Sequence, residues 1–107
     1  DWVITTAFYS ALHLVNHQMF PLAVSGTNYG SFNHYFTGEI KGKKININKH
    51  TATVNLVATY LGPCFAAYKW LFDSCIHSRY NNYLVPVNTA AHAVKMLDKI
   101  KSHCTKA

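Results

Sequence analysis

Between Trp2 and about Met19 the apolar residues Ile4, Phe8, Ala11, Val15 and Met19 recur at spacings of three and four. That period lines up one face of an α-helix. Asp1 is placed to cap this helix and Pro21 to end it. The pattern then changes: "PLAVSGTNYGSFNHYFTGEIKGKKININK" carries Gly26, Gly30, Gly38 and Gly42 among aromatics and keeps no helical period. Within it, "SFNHYFTGEI" and "KKININ" alternate as strands do. Residues 22–48 therefore read either as an irregular insertion or as one holding a small β-hairpin around Gly42. An insertion of this length in a small domain usually covers a site or moves.

Helical spacing resumes near His50, with Val54, Val57, Ala58 and Leu61 on one face. Gly62-Pro63 breaks it, and Pro63 suits the first turn of a third helix. That helix runs to about Tyr80 with a stripe of Phe65, Tyr68, Leu71, Cys75 and Ser78. "NNYLVPVN" is a connector, because Pro86 disfavours helix at Val85. Asn88 or Thr89 can cap a last helix to about Cys104, with Ala90, Val94, Leu97 and Lys101 in one row and Ala93, Met96 and Ile100 widening it. Four helical segments predict an all-α, four-helix bundle with one long insertion between the first two main helices. A bundle this small leaves apolar surface to cover, which favours a homodimer.

Composition narrows the class. At 107 residues the chain suits one domain, 1–107, and its low charged fraction suits a folded segment rather than a disordered one. Its apolar runs stop well short of the roughly 20 residues of a membrane span, so no membrane partner is expected. No signal-peptide pattern appears, and the opening at Asp1 inside a helical pattern suggests residues preceding it. Cys64, Cys75 and Cys104 form no CxxC pair and read as reduced thiols of a cytoplasmic protein. A net charge of +6 is compatible with an anionic partner. Much of it comes from Lys41, Lys43, Lys44 and Lys49, which a solvated loop would also explain.

The first helix resembles that of HEPN-domain proteins: Asp1-Trp2, then Phe8-Tyr9, Ser10-Ala11 and His13. The second half is similar to the same family in His50, Tyr68, Leu71, Asp73 and the Arg79-Tyr80 pair. The resemblance covers the chain apart from the 22–48 insertion. It implies a four- or five-helix bundle, commonly dimeric, from prokaryotic defence or toxin–antitoxin systems and often joined to a nucleotidyltransferase-type antitoxin. Many members are metal-independent ribonucleases with an Arg, a polar residue and a His roughly four to six positions beyond the Arg. A histidine can move the proton of an attacking 2′-hydroxyl, and an arginine can stabilise charge on the phosphate. Here the positions after Arg79 hold Leu84, Val85 and Pro86, and the next histidine is His92. The expectation is a HEPN-like RNA- or nucleotide-binding or interaction module without the ordinary ribonuclease activity. A ribonuclease toxin with a rearranged Arg/His site and a purely structural dimerisation domain are the alternatives.

The candidate catalytic residues are Arg79, His50 and His13, and the candidate ligand-binding residues are Arg79, Tyr80, Asn81, Lys43 and Lys44. Arg79, the only arginine in the chain, reads either as a phosphate clamp or as a structural partner of Asp73 or of its helix C-terminus. His77 lies two residues before it, about 200° away around a helix, which argues against a shared pocket. His13 and His17, four apart, have metal-ligand spacing if His50 or His34 joins them, but polar histidines at a helix interface are the ordinary case. His13 could instead meet His50 across the bundle. No metal or cofactor is expected. The aromatics Tyr29, Phe32, Tyr35 and Phe36 among Lys41, Lys43 and Lys44 could stack on bases, or fold back onto the bundle.

Overall fold

The computed structural model describes the backbone of residues 2–81 and 87–105 and the side chains of residues 2–76 and 90–105. It is mostly helical. Helix α1 (Trp2–Met19) buries Ile4, Ala7, Phe8, Ala11, Val15 and Met19, the stripe that its spacing predicts. Helices α3 (Lys49–Tyr60), α4 (Gly62–Asn81) and α5 (Val87–His103) follow the insertion. The Asn48 side chain caps α3 by accepting from the Thr51 N–H at 2.8 Å. Pro63 stands in the first turn of α4, where its missing N–H costs nothing. The expected cap at Asp1 and the connector residues 82–86 lie outside the described residues, and α5 begins at Val87, just ahead of Asn88 and Thr89.

Helices α1, α4 and α5 pack against one another, and α3 packs on α4. Thr5 lies opposite Cys75, and Phe8 opposite Tyr68 and Phe72, so α1 and α4 are antiparallel. Val3, Thr6 and Ala7 lie beside Val94 and Leu97, and His13 and His17 beside Lys101, so α1 and α5 run in the same direction. The core of this bundle holds Tyr68, Ile4, Leu71, Ile100, Val15 and Val57, all essentially without exposure. Burying side chains of this size contributes roughly 1.5–3 kcal/mol each before entropy is counted. In α5 the core row is Ala93, Met96 and Ile100, while Val94 and Lys101 are exposed. The two rows differ by one residue in phase, and contact with α1 and α4 together selects the narrower one.

The insertion is ordered by its own signals. Strands β1 (Leu22–Val24) and β2 (Thr27–Tyr29) pair antiparallel, Leu22 opposite Tyr29, around a Ser25-Gly26 turn. Both turn residues have positive φ, 52° and 81°, as the tight hairpin turn that matches strand twist requires. The hairpin thus lies ahead of the expected position around Gly42. Residues expected to alternate as strands are helical instead: α2 (Phe32–Tyr35), capped by Ser31, continues into a π-helical segment (Phe36–Lys41). Phe32, Phe36 and Ile40 recur every four residues and face Tyr35, Ile47 and Ala52 in a second small core. Tertiary contact with α3 gives that apolar spacing its helical meaning. Gly42 is required here, because a Cβ on it would sit 2.3 Å from the Gly38 carbonyl oxygen.

Candidate functional site

The end of the insertion and the first residue of α3 carry four lysines, Lys41, Lys43, Lys44 and Lys49, and these are of two kinds. Lys43, one turn after Glu39, donates to Glu39 Oε1 at 2.8 Å. The Tyr29 hydroxyl donates to Glu39 Oε2, and Ser25 Oγ donates to Oε1 at 3.5 Å. Glu39 is only 9% exposed, so the hairpin and the π-helical segment are joined through one well-satisfied carboxylate. Its pKa is lowered, chiefly by Lys43 and then by Tyr29. The Lys43 ammonium is correspondingly held above its ordinary value by Glu39. Lys43, expected to bind a ligand, is therefore committed to an internal pair.

Lys41, Lys44 and Lys49 are different. The Lys41 and Lys49 ammonium groups each lie 5.9 Å from the centre of the Phe36 ring, within cation–π range. Lys49 also reaches Asn33 Oδ1 at 3.4 Å. Lys44 is exposed, with φ at 58°, on the turn that ends the π-helical segment. Among the described residues the ion pairs are Lys43–Glu39 and Lys69–Asp73, so no carboxylate neutralises these three lysines. The aromatics between them do not present free faces. Tyr29 and Phe36 are buried, and Phe32 and Tyr35 pack edge-on against Phe20. They fold back onto the protein instead of offering a stacking platform.

The two candidate histidines lie in different surroundings. His50 is half-buried, its ring 5.8 Å from Phe8 and 5.7 Å from Phe72. His13 is exposed and lines a depression of about 400 Å³ with Ser10, Leu14, His17 and Lys101. Phe8, the residue that His50 touches on α1, lies about 140° around the helix from His13. The expected polar network between them is not formed: His50 joins an aromatic cluster on one face, and His13 lines a shallow depression on another. Among the described residues no three His, Cys, Asp or Glu side chains gather as a metal would need. His34, one proposed third ligand, instead packs edge-on against Tyr29 at 4.9 Å.

Arg79, Tyr80 and Asn81 fall in the last turn of α4, but their side chains, like that of His77, lie outside the described residues. Asp73, the expected structural partner of Arg79, accepts from Lys69 at 2.7 and 2.9 Å. Sequence spacing does not bring Ser10 and Lys101 together. The depression needs α5 beside α1, a contact between distant parts of the chain, whereas the Glu39-to-Lys43 pair at four residues was readable in advance. Neither a family model, nor a curated protein, nor a solved structure matches the chain.

Proposed function

We propose that the chain is a HEPN-like RNA- or nucleotide-binding module that recognises phosphate and lacks the ordinary ribonuclease activity. The observation that carries this reading is the unneutralised group Lys41 and Lys44 on the ordered insertion and Lys49 at the start of α3. Lysines against an aromatic ring, with their acidic neighbour already paired to Lys43, are suited to neutralise a phosphate backbone. Arg79 at the end of α4 would add a clamp of the kind that the HEPN resemblance implies. Absence of a histidine four to six residues beyond it, and the separation of His13 from His50, support binding over cleavage. The resemblance would place such a module in a prokaryotic defence or toxin–antitoxin system with a nucleotidyltransferase-type partner.

A homodimer is part of the proposal. An apolar groove of about 240 Å³ runs between α1 and α5, lined by Trp2, Val3, Thr6, Ala7, Val94 and Leu97. Trp2 there is 83% exposed, a large apolar area to leave in water. Sedimentation analysis should give a dimer that Val94→Asp converts to a folded monomer.

Binding of a labelled single-stranded RNA, followed by fluorescence anisotropy, tests the main reading. The variant with Lys41, Lys44 and Lys49 all changed to Gln should bind weakly, while Lys43→Gln should lose affinity only through a loosened insertion. Equal affinity of the triple variant and the wild type would overturn the assignment. Cleavage of the RNA by the wild type, abolished in Arg79→Ala, would replace it with the ribonuclease reading.

A further inference from the structure

We infer that Cys64 and Cys104 are the two halves of a redox-dependent staple, which closes to a disulfide between the first turn of α4 and the end of α5 when a small-molecule disulfide is supplied. The inference is independent of the RNA-binding reading. Cys64 is the third residue of α4, and Cys104 directly follows His103, the last residue of α5. Because α1 is antiparallel to α4 and parallel to α5, α4 and α5 are antiparallel, and the start of one meets the end of the other. Trp70 packed edge-on against His92, with ring centres 4.5 Å apart, is a second contact of the same two helices. The two thiols hydrogen-bond to each other, Cys104 S–H donating to Cys64 Sγ. Cys64 is 1% exposed in the main core, and half-buried Cys104 packs against that core from its edge.

Access sets the order of the chemistry. The Cys104 thiolate, the one a solute can reach, attacks a sulfur of oxidised glutathione, forming a mixed disulfide and releasing one glutathione thiolate. Cys64 then attacks the Cys104 sulfur, and the second glutathione leaves. The protein gives up two protons and two electrons, and the one disulfide of the oxidant becomes two thiols. Its place in the first turn of α4 favours the Cys64 thiolate for the second step. Drawing the sulfurs in to the roughly 2.05 Å of an S–S bond shifts Cys104, which lies outside the helix and is held by its N–H to Ile100 O at 3.0 Å. Burial holds both thiols above their ordinary value, that of Cys104 at about 11. Thiolate is therefore scarce near neutral pH, and closure is slow there and roughly tenfold faster for each pH unit gained. The pair is thus a staple for sustained oxidation and not a fast sensor. Cys75 is 3% exposed, with Thr5 as its neighbour, and stands apart from the pair. A shared metal ion is the poorer bridge, because among the described residues no third His, Cys, Asp or Glu gathers with the two sulfurs.

The test incubates the 107-residue chain with oxidised glutathione at about pH 8.5, near the ordinary thiol value, quenches with acid and maps the peptides by mass spectrometry. A linked Cys64–Cys104 peptide pair, a free Cys75 and full reversal by dithiothreitol are expected. Oxidation should raise Tm by roughly 10 °C, because the bond closes a long loop in the unfolded chain. Cys104→Ser, a change at the edge of the core, should abolish that rise, and the peptide map of the wild type needs no variant at all. A glutathione adduct that persists on Cys104, a bridge to Cys75, or links formed only between two copies would overturn the inference. A Cys64–Cys104 bond that lowers Tm would overturn it as well.

Discussion

Changing Tyr68 to Phe should make the protein more stable. Tyr68 is 0% exposed, in α4, and among the described residues its buried hydroxyl has no hydrogen-bond partner. A buried hydroxyl without a partner gives up its hydrogen bonds to water for nothing, a penalty of about 1–3 kcal/mol. The ring itself packs against Phe8 at 5.8 Å, and phenylalanine keeps that contact. Removing one oxygen leaves a void smaller than a methyl group, which costs less than about 1 kcal/mol. The net expectation is a gain of about 1 kcal/mol, or roughly 4 °C in Tm for a domain of this size. Urea and thermal denaturation followed by circular dichroism would measure it. There is an independent signature at high pH. Burial holds the Tyr68 phenol above its ordinary value of 10.0, so above about pH 10 the unfolded chain loses this proton while the native protein keeps it. Stability of the wild type must then fall with rising pH, and its deficit relative to Tyr68→Phe must widen. A variant that is less stable by 1 kcal/mol or more, with no widening gap, would show that the hydroxyl is satisfied in the native protein.

Other substitutions probe the insertion. Gly42→Ala should destabilise it by about 1–3 kcal/mol, because the new Cβ meets the Gly38 carbonyl oxygen at 2.3 Å; hydrogen exchange of the Ile45 N–H, bonded to Ile40 O at 2.9 Å, should accelerate while that of α4 does not. Lys44→Gly should raise stability by about 0.5–1 kcal/mol, because glycine adopts the positive φ of 58° without the Cβ penalty. The Glu39 carboxyl is held below its ordinary value of 4.5 by Lys43 and Tyr29. Its contribution is therefore present above about pH 4.5 and is lost as pH falls through the lower native value, so Glu39→Gln should flatten the acid limb of the stability curve.

The sequence was most legible where one period dominates. The α1 stripe is readable because Ile4, Phe8, Ala11, Val15 and Met19 meet a core on one side only. Gly62-Pro63 marks the boundary between α3 and α4 for a local reason that no tertiary contact alters; the Asn48 cap at the start of α3 is equally local but is not among the caps that the pattern singles out. In the insertion, three-residue strands are too short to show alternation, so the pattern does not favour a turn at Ser25-Gly26 over one at Gly42. Phe32, Phe36 and Ile40 fit either a helix or a loose strand until Ala52 and Ile47 close over them. The site divides in the same way. The pairing of Lys43 with Glu39 is local, whereas Lys101 beside His13 depends on the parallel approach of α1 and α5.

Binding of a phosphate backbone by Lys41, Lys44 and Lys49, as proposed, would appear in the salt dependence of single-stranded RNA affinity between about 50 and 200 mM salt. Three released counterions predict a slope of log affinity against log salt of about −2 or steeper, falling toward zero in the variant lacking Lys41, Lys44 and Lys49. An affinity indifferent to salt, or a slope that the triple substitution leaves unchanged, would show that these lysines do not bind the backbone.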